Sequence, residues 1–401
     1  MRFLTYREAI AYAEKRKSIE TRFEEFRALM EEIGNPQDGL TCIHVAGTNG
    51  KGSTCRFLYD ILKTKYNAVA LYTSPHLEDP RDRIRINDEW IPEAKFLEYM
   101  NSYIDEIEQY EVSFVAIFTL FFFLYCKEKK PDIAVVEVSL GGRWDTTNVI
   151  REPLLSVITT IDYDHMNFFG NTLPEIAREK AGIIKPGCPV LLCHIREEAI
   201  GVLEQKAKEE HAPLYHVPEY EDRRDGIVLE GVFYNMHASS YQRMDACFAL
   251  TAAKLCGIDI IADAVKDAVR HSFWPGRFET VKREPLVILD GSHNEEGISA
   301  LIKEMRDLPR PVIVVFTALA DKRGPSMCAL LLKEADEVIV TEFSHARADT
   351  ADHLEKQGCL VIRDYRRAID TARAHAGEEG TVIITGSLYF ISAVRREFIK
   401  K

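Results

Sequence analysis

The chain has 401 residues, a length typical of two or three domains, and its 46% hydrophobic and 28% charged residues are typical of a globular protein. Its formal net charge of −12 argues against nonspecific binding to nucleic acid or to anionic membranes, because both need a positive surface. The nine cysteines contain no C-x-x-C pair, so we expect reduced thiols in a cytoplasmic protein rather than disulfides or a zinc site.

The N-terminal stretch MRFLTYREAIAYAEKRK is charged and has no apolar segment of the kind found in secretory signals. The most hydrophobic run, Val112–Cys126, is shorter than the roughly 18 residues that a membrane span needs, and the charged segment KEKKPD follows it. We therefore predict a buried helix in this run and no membrane partner.

Short apolar runs alternate with helical segments through the first two thirds of the chain. These runs are CIHVA (42–46), NAVALYT (67–73), DIAVVEV (132–138), LLSVITTI (154–161) and PVLLC (189–193). Apolar, β-branched runs without polar alternation are typical of parallel strands that are buried on both faces. Their alternation with helices predicts a doubly wound α/β domain with a mostly parallel sheet.

The pattern restarts near residue 273, after the Pro/Gly-containing segment SFWPGRFETVKREP, which we interpret as a link. The apolar runs LVILDG, PVIVVFTA, EVIVTEF, CLVIRD and TVIITG follow, again separated by helical segments. They predict a second, smaller, Rossmann-like α/β domain. We place the domains at 1–272 and 273–401 and expect a ligand site at their interface.

The stretch HVAGTNGKGST (44–54) follows the first predicted strand and opens a helix. It departs from the common phosphate loop G-x-x-x-x-G-K-[ST], because Gly52 follows Lys51 and the hydroxyls come later. Backbone N–H groups and the helix dipole attract phosphate at such a position, and glycines allow close approach. We therefore predict a nucleotide-binding loop, with Lys51 directed at the β- and γ-phosphates. Its residues are Gly47, Thr48, Asn49, Gly50, Lys51, Gly52 and Ser53.

Polar side chains also follow other predicted strands. Ser74 comes after NAVALYT, Glu137 lies near the end of DIAVVEV, and His165 follows LLSVITTI. Ligands of doubly wound sheets lie at the carboxyl ends of the strands, so we expect these three residues and Lys51 to converge on one point. Hydroxyl, carboxylate and imidazole groups there could hold Mg²⁺ against a triphosphate. Each residue alone also has an ordinary structural explanation, such as a helix cap or a satisfied buried imidazole.

The chain resembles the folylpolyglutamate synthase/dihydrofolate synthase branch of the Mur ligases, through motifs in family order along nearly its whole length. In the first part these are NPQ (35–37), HVAGTNGKGST (44–54), YTSPHL (72–77), RDRIRIN (81–87), EVSLGGRWDTTNV (137–149) and DHMNFFGNTLPEIAREKAGIIKPG (164–187). In the last part they are WPGRFE (274–279), DGSHN (290–294), DK (321–322) and TGSLY (385–389). The unusual glycine loop is the form that this family has.

The resemblance implies an ATP-dependent ligase that adds L-glutamate to a folate or dihydropteroate carboxylate through an acyl phosphate. It implies that the loop binds the triphosphate, that Ser74, Glu137 and His165 bind Mg²⁺, and that Lys180 carries a carbamate near a second metal ion. The other implied site residues are Asp245, Arg277 and Asp290 at the nucleotide, His293 at the phosphates, and Pro36, Gln37, Arg143, Trp144 and Asp145 at the acceptor. The implied catalytic residues are Lys51, His165, Lys180 and His293. Only small-molecule substrates, and a monomer, are expected.

Departures from the family pattern cluster around the expected acceptor pocket. The segment Ser113-Phe114-Val115-Ala116 replaces a Thr-x-Phe-Glu pattern and lacks its glutamate, while Ser139, Trp144 and Thr146 stand where glycine, leucine and alanine are common. At the nucleotide end Asp245 replaces an asparagine; an ionised aspartate only accepts hydrogen bonds, which suits adenine better than guanine. Two explanations stay open: a divergent enzyme that still uses folates, or a paralogue that ligates an amino acid to a non-folate carboxylate.

Three rival functions fit the sequence less well. A nucleotide-gated switch would not need Lys180 and Arg277 in these contexts. A cell-wall Mur ligase usually has an N-terminal UDP-binding domain, for which we expect no room before Gly47. A catalytically dead homologue would not be expected to keep the metal-binding residues. The sequence does not distinguish a dihydrofolate synthase, a folylpolyglutamate synthase and an enzyme with both activities.

Overall fold

The computed structural model describes residues 2–399, which form two compact units. The first unit contains the chain up to Asp162, Asn167–Met236 and Met244–Ser272. The second contains Tyr163–Met166, His237–Arg243 and the chain from Phe273 onward. Two short segments of the first 272 residues therefore pack with the second unit. Within the described part of the chain, no helix combines the length and apolar character needed to cross a membrane.

A large, mostly parallel sheet forms the centre of the first unit. Its strands are β1 (Cys42–Ala46), β2 (Val69–Tyr72), β3 (Ile84–Ile86), β4 (Glu89–Trp90), β5 (Ile133–Glu137), β6 (Leu155–Thr160), β7 (Val190–His194) and β8 (Leu214–His216). They lie side by side in the order β4-β3-β2-β5-β1-β6-β7-β8, and only the pairs that involve β3 are antiparallel. The predicted doubly wound, mostly parallel fold class is confirmed.

The register of this sheet places the end of β5 beside the start of the glycine loop. Val45 lies opposite Glu137, and Ala46 lies opposite Ile158 on the other side. All residues of β1 and β5 are buried, because helices cover both faces of the sheet. Side chains at the carboxyl end of β5 are thus close to the backbone that follows β1.

Helices surround this sheet. They are α1 (Tyr6–Lys15), α2 (Phe23–Glu32), α3 (Lys51–Leu62), α4 (Glu93–Ser102), α5 (Ile104–Gln109), α6 (Phe114–Lys129), α7 (Met166–Phe169), α8 (Leu173–Lys180), α9 (Glu197–Glu209), α10 (Ser240–Leu255) and α11 (Asp263–His271). Short 3-10 turns lie at Arg16–Ser18, Pro80–Arg83, Thr146–Val149 and Ala181–Ile183.

The most hydrophobic run of the chain forms α6, and the prediction of a buried helix is confirmed. Ser113 caps it, since its hydroxyl accepts a hydrogen bond from the Ala116 N–H at 3.4 Å. Its residues are buried as far as Cys126, except for the partly buried Val115, and the ring of Phe122 packs on Tyr72 of β2. The helix ends at Lys129, where the charged KEKK segment reaches solvent.

A small antiparallel sheet in the first unit was not predicted. Its strands are β9 (Tyr220–Arg223), β10 (Gly226–Leu229) and β11 (Val232–Asn235), in the order β11-β10-β9. Every residue of β9 is polar except Tyr220, and the apolar runs of β10 and β11 are only three residues long, shorter than those that identified the large sheet.

A second, mostly parallel sheet forms the second unit. Its strands are β12 (Glu279–Arg283), β13 (Leu286–Asp290), β14 (Val312–Phe316), β15 (Glu337–Glu342), β16 (Cys359–Asp364) and β17 (Thr381–Thr385), in the order β12-β13-β17-β14-β15-β16. Its helices are α12 (Glu295–Met305), α13 (Gly324–Leu331), α14 (Ala351–Leu354), α15 (Tyr365–Ala376) and α16 (Leu388–Ile399). The interpretation of SFWPGRFETVKREP as a plain link was wrong, because it contains the antiparallel edge strand β12, whose charged residues suit an edge.

Candidate functional site

The glycine loop between β1 and α3 is held by the end of β6. The Thr48 N–H donates to Thr160 O at 2.8 Å, and the Asn49 N–H donates to Thr160 Oγ1 at 3.0 Å. The Thr159 hydroxyl donates to Asn49 O at 2.6 Å. The loop is therefore fixed by hydrogen bonds that do not depend on a ligand, as a preformed anion-binding loop requires.

Two lysines converge on the carbonyl oxygen of Gly47. Lys51 Nζ donates to Gly47 O at 2.9 Å and to Thr48 O at 3.1 Å. Lys180 Nζ, from the end of α8, also donates to Gly47 O at 2.9 Å and lies 5.8 Å from the centre of the Phe169 ring. Both predicted catalytic lysines of the first unit thus lie at the loop.

Gly47 and Gly50 occupy positions that other residues would not fit. Gly47 has φ +153°, and an added Cβ would overlap with Thr159 Oγ1. Gly50 has φ +81° and is the N-cap of α3, and an added Cβ would overlap with Asp245 Oδ1. The structure thus places Asp245, predicted near the nucleotide, beside the loop, where its side chain is buried.

Two of the three predicted metal ligands are in contact. Glu137, at the end of β5, is buried, and its Oε2 accepts a hydrogen bond from the Ser74 N–H at 2.9 Å. The two residues belong to the same unit as the loop. Carboxylate and hydroxyl oxygens are the hard donors that Mg²⁺ takes, so this pair suits such an ion. Among residues 2–399, no three His, Cys, Asp or Glu side chains form a metal-binding group by themselves.

His44 lies in β1 directly before the loop and is fully buried. Its Nε2 is 2.8 Å from Thr147 Oγ1, and its Nδ1 has no hydrogen-bond partner among the described residues. Burial, reinforced by the Lys185 charge, lowers the pKa of His44 from its usual 6.5 to about 3. The imidazole is therefore neutral in the folded protein at physiological pH.

Acidification between pH 6.5 and pH 3 is expected to destabilise the protein through His44. The unfolded chain binds a proton at this imidazole below its usual pKa of 6.5, whereas the folded chain binds it only near 3. Each pH unit in this window therefore removes about 1.4 kcal/mol of unfolding free energy. Urea unfolding at stepped pH measures the slope, which His44→Gln should flatten and the exposed control His216→Gln should keep. An equal slope in His44→Gln and the wild type would contradict this expectation.

The predicted acceptor residues fall into two groups. Pro36 and Gln37 are buried, and the Gln37 Oε1 atom has no hydrogen-bond partner among residues 2–399. Asp145 is buried too: it accepts hydrogen bonds from Leu140 N at 2.8 Å and Thr147 N at 2.9 Å, and burial raises its pKa. Asp145 thus caps the turn at Thr146–Val149 instead of projecting outward.

Trp144 and Arg143 lie on the surface of the same turn. Half of Trp144 is exposed (51%), the Arg143 guanidinium carbon lies 4.7 Å from the centre of its ring, and the ring of Phe23 meets it at 6.1 Å. An exposed indole with a cation over it can stack on a planar ligand.

Arg83 was quoted only as part of the motif RDRIRIN, and the structure gives it a definite environment. Its Nε donates to His76 Nδ1 at 3.1 Å, and its guanidinium lies 5.5 Å from the centre of the Phe114 ring. Its Nη1 is buried and has no hydrogen-bond partner among the described residues. Lys17 Nζ lies 4.9 Å from the same Phe114 ring. The contacts of Arg83 and Lys17 with Phe114 were missed because Phe114 is distant from both residues in sequence.

Asp290 and Arg277 lie together in the second unit. Asp290 is fully buried and accepts hydrogen bonds from Tyr241 Oη at 2.6 Å, Phe278 N at 2.9 Å and Ser292 N at 3.0 Å. The Arg277 side chain lies against Gly291, where an added Cβ would be 3.1 Å from its Nη1 atom. The carboxylate of Asp290 therefore fixes the DGSHN turn beside Arg277.

The two predicted catalytic histidines also belong to the second unit, and Asp164 connects them. His293 Nε2 is 3.6 Å from Asp164 Oδ2, and the His165 N–H donates to Asp164 Oδ1 at 2.8 Å. Lys51, Ser74 and Glu137 belong to the first unit. The convergence of these three residues with His165 on one point stays a prediction.

Comparison with known protein families finds a Mur ligase domain in each part of the chain. The Mur ligase middle domain matches residues 45–243, and the Mur ligase glutamate ligase domain matches residues 276–388. The chain is 33% identical over 411 residues to the dihydrofolate synthase/folylpolyglutamate synthase of Bacillus subtilis, covering 92% of this chain and 93% of that protein.

Solved structures agree with this assignment. Escherichia coli FolC in complex with DHPP and ADP superimposes with a TM-score of 0.90 at 27% identity, over 98% of this chain and 97% of that one. The bifunctional folylpolyglutamate synthase/dihydrofolate synthase from Yersinia pestis, complexed with AMPPNP and a Mn ion, gives a TM-score of 0.88 at 25% identity over 98% of both chains.

Proposed function

The chain belongs to the folylpolyglutamate synthase/dihydrofolate synthase family of Mur ligases and is an ATP-dependent ligase, and we propose that it adds L-glutamate to the carboxylate of a dihydropteroate or folate. The observation that carries this proposal is the preformed loop Gly47–Ser53, with Lys51 and Lys180 at its Gly47 carbonyl and Glu137 beside Ser74. Phosphoryl transfer needs positioned positive charge more than covalent chemistry, and Lys51 supplies such a charge at the loop.

The reaction activates a poor electrophile. An oxygen of the acceptor carboxylate attacks the γ-phosphorus of ATP, the bond to the bridging oxygen breaks, and ADP leaves. The α-amine of glutamate then attacks the acyl phosphate, loses a proton and expels phosphate, which leaves an amide. No bond to the protein forms, so no nucleophilic serine or cysteine is required.

We propose Mg²⁺ as the metal, bound by Ser74, Glu137 and His165. The relative from Yersinia pestis was solved with a Mn ion and AMPPNP, which supports a divalent ion and a nucleotide. When bound, such an ion neutralises charge on the transferring phosphoryl group. The protein holds the Glu137 carboxylate in place through the Ser74 N–H, at 2.9 Å.

Carbamoylation of Lys180 is a further part of the proposal. Its side chain is buried and reaches Gly47 O, so a carbamate formed there would lie at the phosphate loop. Carbon-13 NMR of protein supplied with labelled bicarbonate should give a carbamate resonance that Lys180→Arg lacks. A spectrum identical to that of Lys180→Arg would remove this part.

A second candidate function is ligation of an amino acid to a non-folate carboxylate. Ala116 stands where the family has a glutamate. Two residues earlier, the ring of Phe114 is in contact with the basic side chains of Arg83 and Lys17. The buried Arg83 Nη1 has no hydrogen-bond partner among the described residues, so it favours a substrate that brings a negative charge or a carbonyl oxygen to this position.

Phosphate release distinguishes the two candidates. The purified protein is supplied with ATP, Mg²⁺ and L-glutamate, together with 7,8-dihydropteroate, tetrahydrofolate or an unrelated carboxylate. We expect acceptor-dependent release with at least one pterin compound, and none when glutamate is omitted or in Glu137→Gln. Release with neither pterin compound but with another carboxylate would select the second candidate. Comparing dihydropteroate with tetrahydrofolate also separates dihydrofolate synthase from folylpolyglutamate synthase activity.

We further propose that the protein is a cytoplasmic monomer whose partners are these small molecules. The net charge of −12 supports the absence of a nucleic-acid or membrane partner. Light scattering after size exclusion should give a mass near 45.7 kDa, and a multiple of it would contradict the monomer.

A further inference from the structure

A buried polar network surrounds the carboxylate of Asp164 in the second unit. Lys322 pairs with Asp164 Oδ1, and both side chains are nearly inaccessible, at 7% and 9% exposure. Asn294 Nδ2 donates to Asp164 Oδ2 at 3.3 Å, and His293 Nε2 lies 3.6 Å from the same oxygen. One carboxylate thus joins the segment before α7, the DGSHN turn and the loop after β14.

Asp164 also fixes the backbone of the residue that follows it. His165 has φ +51°, a left-handed conformation that is uncommon for a residue with a side chain. The His165 N–H donates to Asp164 Oδ1 at 2.8 Å, and this bond holds the strained turn. The direction in which the imidazole leaves the chain therefore depends on Asp164.

Lys322 holds this carboxylate in place through a buried ion pair. Lys322 Nζ is also 3.4 Å from His165 Nε2. If His165 Nε2 bound a metal ion, the contact between Lys322 and His165 would be lost, but the ion pair between Lys322 and Asp164 would remain.

We propose that Lys322 and Asp164, which form an ion pair although they are 158 residues apart in sequence, are positioning residues for the His165 imidazole. This inference rests on the proposed role of His165 as a metal ligand. Residues that orient metal-binding histidines typically change metal affinity 10- to 100-fold when they are replaced.

The experiment measures Mn²⁺ affinity with saturating AMPPNP, and the coupling of Mn²⁺ to ¹⁵N-labelled histidine by pulsed electron paramagnetic resonance. The variants are Lys322→Met, Lys322→Arg, Asp164→Asn and His165→Ala. The matched control is Arg323→Met, since Arg323 is the next residue but forms an exposed ion pair with Glu295. Melting temperatures identify variants that fail to fold.

We expect folded Lys322→Met to bind Mn²⁺ about 10- to 100-fold more weakly, with a reduced histidine coupling. Lys322→Arg should keep most of the wild-type Mn²⁺ affinity and histidine coupling. Asp164→Asn should weaken Mn²⁺ binding, and the double variant with Lys322→Met should bind only slightly more weakly than Asp164→Asn alone. Arg323→Met should match the wild type.

Two results overturn the inference in different ways. If His165→Ala abolishes the histidine coupling while Lys322→Met and Asp164→Asn keep wild-type affinity and coupling, the positioning role alone is wrong. If His165→Ala changes neither quantity, His165 is not a metal ligand, and that part of the proposed function fails with it. If Lys322→Met misfolds, Lys322→Gln replaces it, because glutamine also removes the charge that pairs with Asp164. If Asp164→Asn misfolds, Asp164→Glu replaces it in the same comparison.

Discussion

Lys51→Met is expected to lower kcat/KM for acceptor-dependent phosphate release by about 10²–10³-fold, the usual effect of removing one preorganised charge from a transition state. The ammonium of Lys51 donates to the carbonyl oxygens of Gly47 and Thr48, so it both shapes the loop and supplies charge to it. Methionine keeps the length of the side chain but has neither function.

Lys63→Met is the matched control for this prediction. Lys63 follows the same helix, α3, but forms partly exposed ion pairs with Asp60 and Asp88. Such pairs contribute about 0–1 kcal/mol to stability and should leave catalysis unchanged. Equal losses in the two variants would show that general charge, rather than the position of Lys51, determines the rate. Calorimetric titration with AMPPNP separates lost binding from lost turnover.

Gly47→Ala is expected to abolish high-affinity nucleotide binding and to lower the unfolding free energy by about 1–3 kcal/mol, as overpacking does in well-packed sites. The new methyl group would overlap with Thr159 Oγ1, which itself holds Asn49 O at 2.6 Å. Relief of the overlap must therefore move the loop or the end of β6. Urea unfolding and AMPPNP titration measure the two effects.

Two further variants test the cause. Gly201→Ala, in α9, meets open space and should increase stability by about 0.5–1 kcal/mol, because alanine favours a helix over glycine. Thr159→Ala removes the overlapping hydroxyl, so Gly47→Ala should cost less in that background than in the wild type. Strict additivity of the two changes would contradict a steric clash between residues 47 and 159.

The glycine loop between β1 and α3 could be predicted because all of its parts are contiguous. A strand, a glycine-rich turn and a helix N-terminus occur within residues 42–62, and local sequence determines each of them. Glu137 beside Ser74 could also be expected, because Glu137 ends one buried strand and Ser74 comes shortly after its parallel neighbour, and the carboxyl ends of parallel strands share an edge. Trp144 was predicted at the acceptor, but its packing against Phe23 was not.

Segments without an apolar run were harder to predict. The charged strand β12 was interpreted as a link, and β9 was missed, because an edge strand exposed to solvent keeps polar side chains on both faces. Asp290 at the nucleotide stays a prediction, and the hydrogen bonds that its oxygens accept from Tyr241, Phe278 and Ser292 were not predicted. These partners come from three separate segments of the chain.

The sequence by itself determined the fold class, the glycine loop between β1 and α3 and the family, because hydrophobic periodicity and contiguous motifs are local properties. Only the tertiary structure decided which side chains fix those motifs. Thr159 donates to the Asn49 carbonyl, Lys180 donates to the Gly47 carbonyl, and Lys322 forms an ion pair with Asp164. The physical reason is that a buried donor or charge must find a partner wherever packing brings one within reach. Distance along the chain does not limit that choice, so local pattern cannot reveal it.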